Sequence, residues 1–297
     1  MFRVAVIGAG RMGRTHLRAI SGSGEVMVAG VVEPFEAARE AVAAVGIPAF
    51  ATLGELLAAT GIDAALVAVP TDQHVAVLAQ VMEAGLPVLC EKPCGLTASE
   101  ARQNARRAED TGLPLQIAYW RRFVPALVAL KRRIDDGELG EILAVNCFQW
   151  DEAPPSSAFR GSSGGIYADM GVHEFDQVRW LTGQEFSTVC GARALPGTVS
   201  GDPECAQLAC GLSGGSTAVI SLGRWHPAGD MVKVEVYGTK GTASSVFLDP
   251  AEGDVAFLEA LRLQAEDFAR LVRTGAGTGA RAADAVAALT VAEMAKE

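Results

Sequence analysis

Residues 2–20 read FRVAVIGAGRMGRTHLRAI, an apolar run that breaks at Gly8-Ala9-Gly10-Arg11-Met12-Gly13 and then resumes with helical spacing. The order is strand, glycine turn, helix. In such a turn the first glycine permits the tight bend, the second lets a pyrophosphate approach the backbone, and the third lets helix pack on strand. The phosphate charge then sits at the helix N-terminus. A second apolar run, residues 26–32, ends at Glu33, about 20 residues beyond Gly13. An acidic side chain at that point accepts hydrogen bonds from the adenosine ribose hydroxyls and repels a 2′-phosphate. The stretch therefore predicts NAD held by Gly8, Gly10, Arg11, Met12, Gly13 and Glu33.

The alternation continues outward from there. Residues 34–45 have helical spacing, Thr52 to Glu55 forms a capping box that opens a short helix, and residues 64–69 read as a buried strand. Residues 73–84 read as a helix closed by Gly85, followed by a strand at 87–90, a second capping box at Thr97 to Glu100 with a helix to about 111, and a strand at 115–119. Strands alternating with helices imply a parallel, doubly wound α/β sheet, the Rossmann arrangement. Ligands of such sheets bind beyond the carboxyl ends of the strands, which adds Pro70, Thr71, His74, Glu91 and Lys92 to the cofactor candidates. Pro93 restricts Lys92 to extended conformations. A surface lysine is one reading of it; a lysine where a nicotinamide and a substrate hydroxyl meet is the other.

After a helix at 125–136 the texture changes. Residues 142–148, 186–194, 205–212, 217–222, 232–237 and 242–247 all read as strands, interrupted by one helix. In 231–237 the valines at 232, 234 and 236 share one face and Lys233 and Glu235 the other, the pattern of a sheet buried on one side only. This predicts a C-terminal α+β domain with a large open, mostly antiparallel sheet. The division expected is 1–120 for the nucleotide domain and 121–297 for a substrate-binding and oligomerisation domain. The final helices, about 257–272 and 281–296, are free to pack back on the first domain.

The interrupting helix is residues 163–181, SGGIYADMGVHEFDQVRWL. Asp169, His173 and Asp176 recur at i, i+4 and i+7, a polar stripe on an otherwise apolar helix. A neutral imidazole takes a proton near pH 7, and a carboxylate one turn away orients it and raises its basicity, so the stripe reads as a catalytic base with its partner. It also reads as a solvated face of a surface helix, or as a divalent metal site of one histidine and two carboxylates.

The formal charge of −10 disfavours nucleic acid and anionic membranes as partners. The apolar start is too short and too soon broken by glycine for a signal peptide, and no later run approaches a membrane span, so the chain reads as cytoplasmic. Its six cysteines lack zinc-site spacing and look like core residues.

Four stretches together resemble one family, the Gfo/Idh/MocA oxidoreductases: AVIGAGRMGRTHLRAI, VPTDQHVAVLAQVMEAGLPVLCEKP, YWRRFVPA and SGGIYADMGVHEFDQVRWLTG. The resemblance covers essentially the whole chain. It implies a Rossmann domain followed by an open-sheet domain, NAD chemistry on sugars or cyclitols, Lys92 touching both cofactor and substrate, His173 as base and Asp169 assisting it, with no metal. It also implies a homodimer or homotetramer built through the C-terminal sheet. Ser163 to Ile166, Asp169, Met170, His173, Phe175 and Asp176 are similar to the inositol 2-dehydrogenase version, as is DEAPP at 151–155. Two features depart from it: Trp150 stands where that group usually has arginine, and the connection from 247 to 257 is shorter than is common. Tyr119, Trp150 and Asp176 are the residues expected to line the polyol pocket. An aldose or amino- or deoxy-sugar dehydrogenase and a non-catalytic dinucleotide-binding regulator are the alternatives.

Overall fold

The computed structural model describes residues 1–194, 202–248 and 253–296. These divide into two compact units, one of residues 1–95, 99–120 and 258–283, the other of residues 96–98, 121–257 and 284–297. Among the described residues no helix is long and apolar enough to cross a membrane.

The first unit begins with β1 (Phe2–Ile7), α1 (Arg11–Ser21), β2 (Val26–Val32), α2 (Glu36–Ala43), β3 (Ala49–Phe50) and α3 (Leu53–Ala59). It continues with β4 (Ala64–Val67), α4 (His74–Glu83), β5 (Val88–Cys90), α5 (Ala98–Thr111) and β6 (Leu115–Ile117). The strands lie in the order β6-β5-β4-β1-β2-β3, all parallel, so the order reverses at β1 and leaves a crevice at the carboxyl ends of β1 and β4. Phe2, Val4, Val6, Val31, Leu66 and Leu89 from the strands form the core with Leu17 and Ile20 of α1. The Thr52 side chain accepts the Glu55 N–H, and Glu55 answers by accepting the Ala51 N–H, which is the start signal seen in the sequence.

The second unit holds α6 (Pro125–Asp135), β7 (Ile142–Trp150), α7 (Ser157–Ser162), α8 (Val172–Thr182), β8 (Phe186–Ala194), β9 (Cys205–Leu212), β10 (Thr217–Gly223), β11 (Met231–Gly238) and β12 (Thr242–Leu248). After these come α9 (Val255–Thr274), β13 (Ala280–Arg281) and α10 (Ala282–Met294). The sheet order is β12-β11-β7-β10-β9-β8, antiparallel throughout except that β7 and β10 run parallel. Val145, Cys147, Ile220, Leu222, Val234 and Val236 are buried on one face. Val219, Tyr237 and Val246 are exposed on the other, beside the Lys233–Glu235 ion pair. The final helices part company: α9 from Leu258 onward and β13 belong to the first unit, where β13 pairs antiparallel with β6, and α10 from Asp284 belongs to the second.

Several expectations need correction. The segment 163–181 is not one α-helix. Gly164 and Gly165 both have positive φ, and a Cβ on Gly164 would come 2.8 Å from that of Ala168, so the glycine pair folds the chain back before a π turn at Tyr167–Gly171 leads into α8. The strand expected at 115–119 stops at Ile117, because Trp120–Phe123 forms a 3-10 turn. Two-residue β3 and β13 are too short for a periodic signal, and α7, capped by the Ser156 hydroxyl, is masked by Pro154 and Pro155 before it. Cys190 on edge strand β8 is exposed and Cys205 half-buried, so only Cys90, Cys94, Cys147 and Cys210 are core thiols. The connection after Phe247 passes through 249–252, which lie outside the described residues.

Candidate active site

The glycine turn in the first unit is shaped from behind. A Cβ on Gly13 would stand 2.0 Å from the Gly8 carbonyl oxygen, so helix and strand meet at backbone distance. Gly10 has nothing within 4 Å of its Cβ position, which leaves open the approach to the first N–H groups of α1 at Arg11, Met12 and Gly13. Beside the turn an apolar pocket is lined by Val32, Pro34, Leu53, Val69 and Val77. At the end of β2 the Glu33 carboxylate is fixed by two backbone donors, Ala9 N–H at 2.8 Å and Phe35 N–H at 3.1 Å. The open turn, the helix N-terminus and the fixed acid fit NAD.

Arg39, which no motif marks, lies beside Glu33 with its guanidinium donating to the Glu33 and Pro34 carbonyls. Its charge is thereby held on backbone oxygens, beside the Glu33 carboxylate at the end of β2. The expected result is a kcat/KM for NAD about tenfold or more above that for NADP. Steady-state kinetics with both cofactors checks this, and a preference for NADP would refute it.

Lys92 follows β5 at a turn gripped by two buried histidines. His16 of α1 binds Glu91, Nε2 to Oε1 at 2.6 Å, and the other Glu91 oxygen accepts the Lys92 N–H at 3.2 Å. Burial alone would raise the Glu91 pKa, but His16 first, then Lys92 and His74, bring it below the usual carboxylate range. His74 at the head of α4 lies between two carbonyls, Nδ1 2.7 Å from that of Pro93 and Nε2 3.0 Å from that of Val69. Its burial lowers its pKa against those two contacts. Glu91 and His74 therefore hold the Lys92 turn in shape at the carboxyl end of β5. Pro70 and Thr71 stand where β4 leads into α4, Thr71 opening a 3-10 turn.

In the second unit Asp169 sits in the π turn and His173 in the first turn of α8, at 8% and 7% exposure. Four residues apart, they project to the same side under either helical pitch. The solvated-face reading is therefore overturned. Arg224, directly after β10, reaches Asp169 Oδ2 with Nη1 at 3.4 Å. Near them the Asp151 carboxyl at the end of β7 is pushed up to about 6, by burial first and then by Asp169 and Asp230, with Arg224 opposing.

The three residues expected to line a polyol pocket each have fixed surroundings. Asp176 has both oxygens on Arg122, Nε at 2.9 Å and Nη2 at 2.6 Å, which also removes the third ligand from the metal reading of the stripe. Trp150 donates its indole N–H to Ser221 at 2.9 Å and lays its ring over Gly223. Tyr119 in the first unit is 1% exposed and offers almost no surface. Among the described residues no group of three or more histidines, cysteines and carboxylates is placed to hold a metal. Polar groups near Asp169 include Asp151 and Arg224, and Arg121 donates to Gln149 on β7, two residues before Asp151. DEAPP brought Asp151 into view in the sequence; Arg224 has no motif.

Residues 2–119 match the model of the oxidoreductase family with an NAD-binding Rossmann fold, and residues 127–244 that of the GFO/IDH/MocA C-terminal domain. The chain belongs to the Gfo/Idh/MocA oxidoreductase family. It is thus an oxidoreductase that uses NAD. Among similar proteins of this family, the rhizopine catabolism protein MocA of Rhizobium meliloti is 50% identical over 100% of this chain and 94% of its own length. Inositol 2-dehydrogenase of Rhizobium meliloti (strain 1021) is 31% identical over 99% of this chain and 95% of its own. The crystal structure of a myo-inositol dehydrogenase from Corynebacterium glutamicum superposes with a TM-score of 0.89 at 26% identity, covering 99% of this chain and 95% of that one.

Proposed function

We propose that this oxidoreductase oxidises a secondary hydroxyl of a cyclitol, myo-inositol or a close relative, with NAD as acceptor. The observation that carries the reading is the buried pair of Asp169, on a glycine-headed π turn, and His173, in the first turn of α8. A neutral imidazole accepts a proton near pH 7, and an adjoining carboxylate fixes the ring and stabilises the cation that results. His173 takes the hydroxyl proton, Asp169 orients the imidazole, and Lys92 donates a hydrogen bond to the substrate oxygen as charge develops there. Bound NAD supplies the acceptor for the hydride that leaves the same carbon, so the product is a ketone.

The inositol dehydrogenase relatives support a cyclitol. The 50% identity to MocA favours a second reading, in which the polyol is a compound of rhizopine catabolism. NADH formation read by absorbance over a panel of inositol isomers, rhizopine and aldoses separates the two. No turnover with any member would refute both. Six free cysteines suit a reducing compartment, and we place the reaction in the cytoplasm.

We further propose that the exposed face of the second sheet, with Val219, Tyr237 and Val246, is buried against another copy of the chain as a dimer or tetramer. Light scattering at micromolar concentration is expected to give a multiple of the 30.9 kDa chain mass, and a monomer would remove the idea.

A further inference from the structure

Arg224 is fully buried, yet it is held loosely for so costly a charge. Its Nη1 and Nη2 stand 3.4 Å from Asp169 and Asp202, and its Nε has no hydrogen-bond partner among the described residues. A buried guanidinium kept for architecture alone is normally gripped through its whole fork. Arg160 on α7 shows that pattern nearby: Nε to Asp202 Oδ2 at 2.5 Å, Nη2 to the Asp202 carbonyl at 2.8 Å, and Nη1 to Glu204 at 2.9 Å. Asp202 also accepts the Ile166 N–H at 2.8 Å, so it keeps its partners whether or not Arg224 is present. The charge of Arg224 is therefore shared between Asp202, which Arg160 already holds, and Asp169.

We infer that Arg224 is a positioning residue for the reaction: it holds the Asp169 carboxylate toward His173 and balances the negative field of Asp169, Asp151 and Asp230. This rests on the reading of His173 as the base. The charged and titratable groups that face it include Asp169 of the π turn and Asp202 before β9, both on its fork, and Asp151 at the end of β7, on which Asp169 and Asp230 also act; Arg160 on α7 holds Asp202 and Glu204 from the other side, and His173 follows Asp169 by one turn in α8. Arg224 opposes the upward shift of Asp151, which places it within the field that the site's protons feel.

The sign of the effect follows. Removing a positive charge makes the local potential more negative and favours the protonated forms of His173 and Asp151, so the acid limb of kcat/KM moves to higher pH. Removing a negative charge does the opposite. Arg224→Met should lower kcat about tenfold or more near pH 7 and move the acid limb up by about half a unit or more. Arg224→Lys should return the limb close to its parental position, with part of the kcat loss remaining because the fork is gone. Asp151→Asn should move the limb down.

The experiment measures kcat/KM against pH for these three variants and for His173→Ala, together with NAD binding and Tm. Limb shifts of opposite sign for Arg224→Met and Asp151→Asn support the inference. A fall in Tm and kcat for Arg224→Met with an unmoved limb overturns it, leaving Arg224 as scaffold. Should Arg224→Met fail to fold, Asp151→Asn decides, and an unmoved limb there overturns the inference as well. Parental turnover by His173→Ala overturns the proposed function and this inference together. An inactive His173→Ala with unmoved limbs overturns this inference alone.

Discussion

His173→Ala is expected to cut kcat by about a hundredfold or more while NAD affinity stays close to parental. On the proposed mechanism the loss follows from the removal of the group that would receive the hydroxyl proton. Affinity is kept because the glycine turn and Glu33, which fit the dinucleotide, are untouched. Asp169→Asn should lower kcat by less, since the imidazole stays in place but loses its anionic partner. Steady-state kinetics with fluorescence titration of NADH separates the two effects. Near-normal turnover by His173→Ala on a confirmed polyol would end the mechanism while leaving the fold intact.

Lys92→Met is the second large effect, expected to cost about a hundredfold in kcat with a raised KM for the polyol. The methionine keeps the length of the stem and removes the ammonium donor that the proposed mechanism directs at the substrate oxygen. Lys92→Arg should recover only part of the rate, because a planar fork does not replace a compact ammonium held at one point by its turn. The grip of His16 on Glu91 and of His74 on Pro93 leaves that turn little freedom to adjust. Parental kcat for Lys92→Met would remove the lysine from the chemistry.

The features most legible in the sequence are those encoded locally. The glycine turn, Glu33, the capping box at Thr52 and the alternation along β11 each place their signal within a few residues, and the structure has each of them. The helix 163–181 was legible as polar on one side, but its π turn was not, because the two positive-φ glycines that set it leave the periodicity ambiguous. The pocket residues were hardest to read. Asp176 reads in the sequence as one member of a polar stripe, and its partner Arg122 lies 54 positions earlier in the 3-10 turn before α6, while Arg224 reaches Asp169 across 55 positions. Pairings at such separations are made by the fold and carry no spacing that a single sequence displays.

The segment formed by α9 and β13 has a consequence for the order of synthesis. Phe268 of α9 packs edge-on against Phe2, with ring centroids 6.3 Å apart, and β13 closes the open edge of β6. Both arrive only after residues 121–257, which belong to the other unit, have left the ribosome. The nucleotide unit is therefore the first to be started and among the last to be finished. During elongation its edge strand and the aromatic ring of its second residue stay uncovered, and shielding them falls to whatever holds the nascent chain.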